Sequence, residues 1–279
     1  MKPLRFLTLV CFLFVFFAFV FPVHADMGPK PSLTIIVKNA PDEPYYLDLL
    51  IQNRGTYDNL GDDRASLDPS MLGLLKSKEF DGWFPALVDG TTTPLWAKLT
   101  GTADGETRIH HFNYMGVPTI FKIIVVTKSG AVKVSETIHT YLFQTTITYD
   151  MQAQKLIMPN VAYAYLLQFF STFIPTLLIE GLVLFLYRLW TRKNLITILI
   201  VNFVTQLFMT AIVGSYLFKY GMFSALIVLL LIEPVILIAE ALIYRVKLEH
   251  GSKMRYVAYA IVANFFSWFA GMMMILMSK

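Results

Sequence analysis

The sequence has little charge and almost no cysteine. Only 15% of its 279 residues are Asp, Glu, Lys or Arg, against 56% hydrophobic, a balance far from that of an ordinary water-soluble domain. The one cysteine, Cys11, lies in the first apolar run. The chain beyond it can form no disulfide, so an exported domain must be held by its own core. A P-loop, a Ser-centred nucleophile elbow and a zinc-protease helix are all lacking. No catalytic motif and no cofactor are implied. The formal net charge is +4, yet residues 26–160 carry 15 acidic and 12 basic side chains, a net of −3. The positive excess therefore sits in the first residues and in short C-terminal loops. It reports topology and gives no reason to expect nucleic acid as a partner.

What is present is long apolar runs, gathered at 1–25 and 161–279. The first, "MKPLRFLTLVCFLFVFFAFVFPVHADMG", begins with Lys2 and Arg5 and ends in Val23-His24-Ala25. It reads as a signal peptide, residues 1–25, cleaved after Ala25. The run is also long enough for an uncleaved anchor helix; either way the chain from Asp26 is expected outside the cell.

Four later segments, about 161–187, 194–218, 222–244 and 256–277, are each long enough to cross about 30 Å of hydrocarbon, which takes roughly 20 helical residues. The connections 188–193 and 245–255 hold Arg188, Arg192, Lys193, Arg245, Lys247, Lys253 and Arg255, whereas the opposite side holds only Lys219 and Lys279. The positive-inside rule places the two basic connections in the cytoplasm and the C-terminus outside. Tyr163, Tyr165, Tyr187, Trp190, Tyr216, Tyr220, Tyr244 and Tyr256 fall near the span ends, as an aromatic belt would.

Residues 26–160 read as an extracellular β-rich domain. "SLTIIVKNAPDEPYYLDLLIQN" predicts a hairpin around a Pro-rich turn, and "PTIFKIIVVTKSGAVKVSETI" a second one with its turn at Ser129-Gly130. "TTTPLWAKLTG", "TRIHHFNYM" and "FQTTITYDMQ" add strands. "DPSMLGLLKSKEF" predicts a short helix with Asp68 as N-cap, Pro69 at the first position, and Met71, Leu72, Leu74 and Leu75 inward. Six or seven strands over this length suggest a β-sandwich.

Candidate chemistry in this domain is thin. His110 and His111 are neighbours on a predicted strand, so they point to opposite faces and cannot share a metal, and nothing brings His139 near. Asp58, Asp62 and Asp63 flank Gly61, but without the alternation and closing Glu of a calcium loop they read as a solvated acidic loop.

The spans are more informative. Each carries one polar stripe at helical spacing. The first has Thr172, Thr176 and Glu180; the second Asn202, Gln206 and Thr210; the third Glu233 and Glu240; the fourth Ala260, Asn264, Ser267 and Gly271. Carboxylates in hydrocarbon cost roughly 2.5–3.5 kcal/mol each even on the lenient insertion scale. The stripes therefore predict a four-helix transmembrane bundle whose polar faces meet inside. At about 1.5 Å per residue, Glu180, Asn202, Glu233, Glu240 and Asn264 all fall in the cytoplasmic half, with Gln206 close to the level of Glu233. No Lys, Arg or His lies within the spans to pair with them. The carboxyls are then neutral hydrogen-bonding groups that assemble the bundle, a site for a cation or proton, or a recognition site for a partner or lipid. Whether any of them binds a metal is not decided by the sequence.

The stretches "PKPSLTIIVKN", "YYLDLL", "RKNLITILIVNFVTQL" and "LIEPVILIAEALIYR" give the chain a resemblance to a group of uncharacterised integral membrane proteins from Firmicutes. The resemblance implies the same order of signal peptide, external domain and four spans, and implies no activity. The expected function is a multi-pass cell-surface membrane protein with an external binding domain and an intramembrane carboxylate site. The alternative is a structural or partner-binding envelope protein whose buried polar residues only assemble the bundle. Membrane lipid, an extracellular ligand and a membrane protein are the expected partners.

Overall fold

The computed structural model describes residues 29–77 and 81–277. The expected signal peptide lies outside them. Among the described residues the N-terminal part is β-rich and the C-terminal part consists of long apolar helices.

The strands are β1 (Ser32–Lys38), β2 (Tyr45–Ile51), β3 (Phe84–Pro85), β4 (Thr102–Asp104), β5 (Thr107–Asn113), β6 (Ile120–Thr127), β7 (Val132–Val134), β8 (Ile138–His139), β9 (Gln144–Asp150) and β10 (Lys155–Ile157). One sheet runs β10-β9-β1-β5-β4; the other runs β3-β2-β6-β7, with β8 also on β6. Leu33, Ile35 and Val37 of β1, Phe112 of β5 and Ile147 and Tyr149 of β9 face a core shared with β2 and β6.

The expected β1–β2 hairpin does not form. β1 pairs antiparallel with β5 and parallel with β9, whereas β2 pairs with β3 and β6. The reason is visible in the residues. β1 alternates between buried and half-buried positions, as a strand covered on one side must. β2, "YYLDLLI", is buried at every position, so it needs cover on both faces. The cover comes from the core shared with the first sheet on one side and from α2 (Ala86–Asp89) on the other, with α1 (Pro69–Lys76) beside it over β6. The chain changes sheets through Asn39, in the left-handed region at φ 50°, and the prolines that follow.

The other local expectations fare better. β6 and β7 form the predicted hairpin, with Gly130 at φ 93° in its turn. Asp68 caps α1 through the Ser70 amide, and Met71 and Leu75 are buried. "TTTPLWAKLTG" is not a strand; it meets β5 through a two-bond bridge between Trp96 and Asn113 and through Arg108, which donates to the Thr100 carbonyl at 2.9 Å.

Asp48 is the polar exception inside β2. Its carboxylate accepts from the amides of Leu49 (2.7 Å), Leu87 (3.0 Å) and Val88 (3.3 Å), the last two opening α2. Burial pushes its carboxyl up to about 7, against the opposing pull of those amides. Between about 4 and about 7 the folded form thus holds a proton on Asp48 that the unfolded chain has lost, so the contribution of Asp48 to stability falls as pH rises through that window and is level above it. His110, pushed down to about 4, contributes in the opposite direction between about 4 and 6.5, so the Asp48 effect is read by difference. From pH 5 to pH 7.5 the melting temperature of residues 29–158 expressed alone should rise more, or fall less, in Asp48→Asn than in the wild type. A rise in melting temperature over the same range that is larger in the wild type than in Asp48→Asn would show that the three amides hold the carboxylate ionised.

The helical part comprises α3 (Val161–Leu186), α4 (Arg192–Lys247) and α5 (Lys253–Met277). α3 and α4 are long and apolar enough to cross a membrane. α4 is one continuous helix only in name. Its backbone breaks at Gly221 (φ 79°, ψ −179°), a conformation open to glycine and to little else. Hydrogen bonds join Asn202 to Tyr244, Thr205 to Glu240 and Asn194 to Glu249. Those pairs nest around Gly221, so the two arms, 192–220 and 222–247, double back on each other.

Candidate functional site

The helices carry apolar side chains outward and polar ones inward. Leu178, Leu182, Leu231 and Val235 are 60–69% exposed, whereas Glu180, Asn202 and Glu240 are 1–3% exposed. A buried polar group must find its hydrogen bonds within the protein, and these do.

Asn202 on the first arm of α4 sits at the centre. Its Nδ2 donates to Glu180 Oε2 on α3 at 2.6 Å, and lies 3.2 Å from the Tyr244 hydroxyl on the second arm. Tyr259 of α5 reaches Glu180 from the other side, its hydroxyl 3.4 Å from the main-chain oxygen and 3.5 Å from Oε2. Beside this cluster, Glu240 accepts from Thr205 Oγ1 (2.8 Å) and from Asn264 Nδ2 of α5 (2.7 Å). The pattern links α3, both arms of α4, and α5. Ala260 and Ala263, fully buried, keep the face of α5 slim enough to approach. One turn further along, Gln206 Nε2 donates to Thr172 Oγ1 at 2.8 Å.

Four of the six sequence-predicted residues, Glu180, Asn202, Glu240 and Asn264, thus meet in one hydrogen-bonded region. Gln206 lies at its edge. Glu233 stands apart: it is half-buried, makes no hydrogen bond among the described residues, and lines a cavity of about 460 Å³ together with Gln206 and Thr172. Among the described residues, two carboxyls are hydrogen-bonded within the bundle and one is not.

Tyr244, Tyr259 and Thr205 are contributors that sequence reasoning missed. Tyr244 and Tyr256 look like interfacial aromatics in the sequence, but both are buried, Tyr244 on the network and Tyr256 with its hydroxyl bonded to both backbone groups of Gly251. Spacing held a clue, since Tyr244 follows Glu240 by one helical turn and Thr205 follows Asn202 by three residues. Asn194, also missed, fastens the two basic connections together. Its Nδ2 donates to the carbonyls of Leu189 (2.8 Å) and Glu249 (3.1 Å), and its Oδ1 accepts from the Glu249 amide (3.0 Å). Lys193 and Glu249 pair on the outside of the same joint.

The β-rich part assembles less. His110 is buried, its Nε2 3.2 Å from the Tyr45 hydroxyl, and burial pushes it down to about 4, so it is neutral at pH 7. His111 points out and meets Thr34 Oγ1 at 3.0 Å. His139 is exposed on β8. Asp58 accepts from Arg64 (2.8 Å) and from the Leu60 amide, at the head of a short 3-10 turn over Gly61–Ser66. No group of three His, Cys, Asp or Glu side chains among the described residues is placed to hold a metal ion.

No family model matches the chain, and neither a curated protein nor a solved structure matches it.

The network makes a definite prediction for stability in detergent. Asn202→Leu removes contacts to two neighbouring elements and should cost about 1 kcal/mol, given interhelical hydrogen bonds of about 0.6 kcal/mol in membrane proteins. Glu180→Gln keeps an acceptor for Asn202 and should leave the melting temperature near that of the wild type. An Asn202→Leu protein as stable as the wild type would remove Asn202 from the centre of the bundle.

Proposed function

We propose that the chain is a multi-pass cell-surface membrane protein with an intramembrane carboxylate site for a cation or a proton. In this reading α3, the two arms of α4, and α5 form a four-helix transmembrane bundle. Residues 26–160 lie outside the cell with the Gly221 reversal and the C-terminus. The basic connections, tied together by Asn194, lie in the cytoplasm. The outward apolar side chains support immersion in lipid, because an aqueous helix bundle would reverse the pattern. The likeness to the uncharacterised Firmicutes membrane proteins fits this architecture and assigns no activity. In the external domain, a recess of about 470 Å³ beside Trp96, which stacks on Tyr114 at 4.0 Å, is the surface offered to an extracellular ligand.

The single observation that carries the site is the contrast among the glutamates. Glu180 and Glu240 are consumed by hydrogen bonds within the bundle, which fits a structural role for that pair. Among the described residues Glu233 has no such partner, and it opens onto a cavity. An intramembrane carboxyl without a structural use is where ligand chemistry belongs. In vesicles containing the purified protein, a proton, Na⁺ or K⁺ gradient should drive flux that Glu233→Gln abolishes, while the variant keeps its melting temperature. An absence of flux for every ion, together with full function of Glu233→Gln in cells, would leave only the structural reading.

A further inference from the structure

The cavity that Glu233 lines says more about its ligand than the carboxyl alone. It lies between α3, both arms of α4 and α5, with Pro29 also on its lining, and extends from Gln168 near the start of α3, and Leu217 and Met222 beside the Gly221 reversal, down to Gln206 and Glu233. Its volume of about 460 Å³ is within the range of sites for small organic molecules, roughly 300–1,000 Å³. A bare inorganic ion would leave most of that space empty.

The walls argue the same way. Val213, Leu217, Leu226 and Leu229 from the two arms of α4 face Pro175 of α3 and Trp268 of α5. The lining also carries Gln168, Ser171, Thr172, Thr176, Gln206 and Thr210, but Ser171, Thr172 and Gln206 already donate to neighbours within the helices, and the apolar side chains supply none of the about six oxygen ligands that a dehydrated metal cation asks for. Those same side chains favour an apolar body, at about 25 cal/mol for each Å² removed from water. Among the described residues Glu233 is the one acidic side chain on the lining, and none of those lining it is Lys, Arg or His. The charge that the site complements is therefore positive. Trp268 adds an indole ring to the lining, a surface that attracts organic cations more strongly than other side chains do.

We infer that this cavity binds a lipophilic organic cation, with Glu233 facing the positive centre and Trp268 and the leucines enclosing the apolar body. The inference rests on the reading of Glu233 as a ligand-binding carboxyl, and it narrows the class of ligand.

Tetraphenylphosphonium is a suitable probe, because its charge is permanent and its surface apolar. Its binding to the full chain in detergent can be measured by equilibrium dialysis, with the uncharged triphenylphosphine oxide as comparison. The wild type should bind the cation saturably and the neutral compound much more weakly. Glu233→Gln should weaken the cation by about tenfold or more, equivalent to about 1.4 kcal/mol, and Glu233→Asp should restore most of the loss. Leu226→Trp, which fills the cavity and keeps the carboxyl, should also abolish binding, so the inference does not depend on one variant folding. Equal binding of both compounds, or cation binding indifferent to Glu233→Gln and Leu226→Trp, would reduce the cavity to an apolar space and overturn the inference. Flux of a proton or Na⁺ that needs Glu233, with no binding of tetraphenylphosphonium, would overturn the inference while sustaining the broader site. Loss of both would end both.

Discussion

The hydrogen bond from Asn202 to Glu180, 2.6 Å long, is the contact on which the helical part depends. Apolar helices have no hydrophobic reason to associate when their surroundings are as apolar as they are. Polar side chains inside them supply a reason, since each must find a partner or forfeit a hydrogen bond. Asn202 meets that need for α3 and for the second arm of α4 at once. Glu240 does the same between the first arm and α5. The reversal at Gly221 makes both possible, because only a chain doubled back at that point puts Thr205 against Glu240 and Asn202 against Tyr244.

The same requirement separates structural carboxyls from a functional one. Glu233 and Glu240 are seven residues apart and share a helix face, yet their surroundings differ. Glu240 lies where the small side chains of Ala260 and Ala263 let α5 close in. Glu233 lies where the helices leave a cavity. On the proposed reading, the closed region near the basic connections holds the bundle, and the open region toward the Gly221 reversal receives the ligand. Asn194 secures the closed end by joining the two connections that flank it.

Much of this architecture is legible in the residues. Polar side chains within apolar runs mark Glu180, Asn202, Glu240 and Asn264, and basic residues mark which connections lie at the same end. Asp68-Pro69 and Ser129-Gly130 announce a helix start and a turn, because cap and turn chemistry is local. What the sequence hides is pairing between distant segments. β1 and β2 look like a hairpin because they are adjacent, but burial on one face against burial on two sends them to different sheets. Tyr244 looks like an interfacial anchor because it ends an apolar run, and only the doubling of α4 turns its hydroxyl toward Asn202. Asp48 gives no sign that it serves α2, whose amides lie 39 and 40 residues further on. That Glu233 differs from Glu240 follows from packing among four helical stretches, which no single stripe records.

The proposed bundle has hydrocarbon around it, the Gly221 reversal outside the cell and the Asn194 joint within. The direct measurement is thiol labelling of intact cells with a membrane-impermeant reagent, in a chain whose Cys11 is replaced by Ser. Tyr220→Cys should label from outside, and Thr191→Cys only after the membrane is opened. Labelling of Thr191→Cys in intact cells, with Tyr220→Cys protected or equally reactive, would contradict the account.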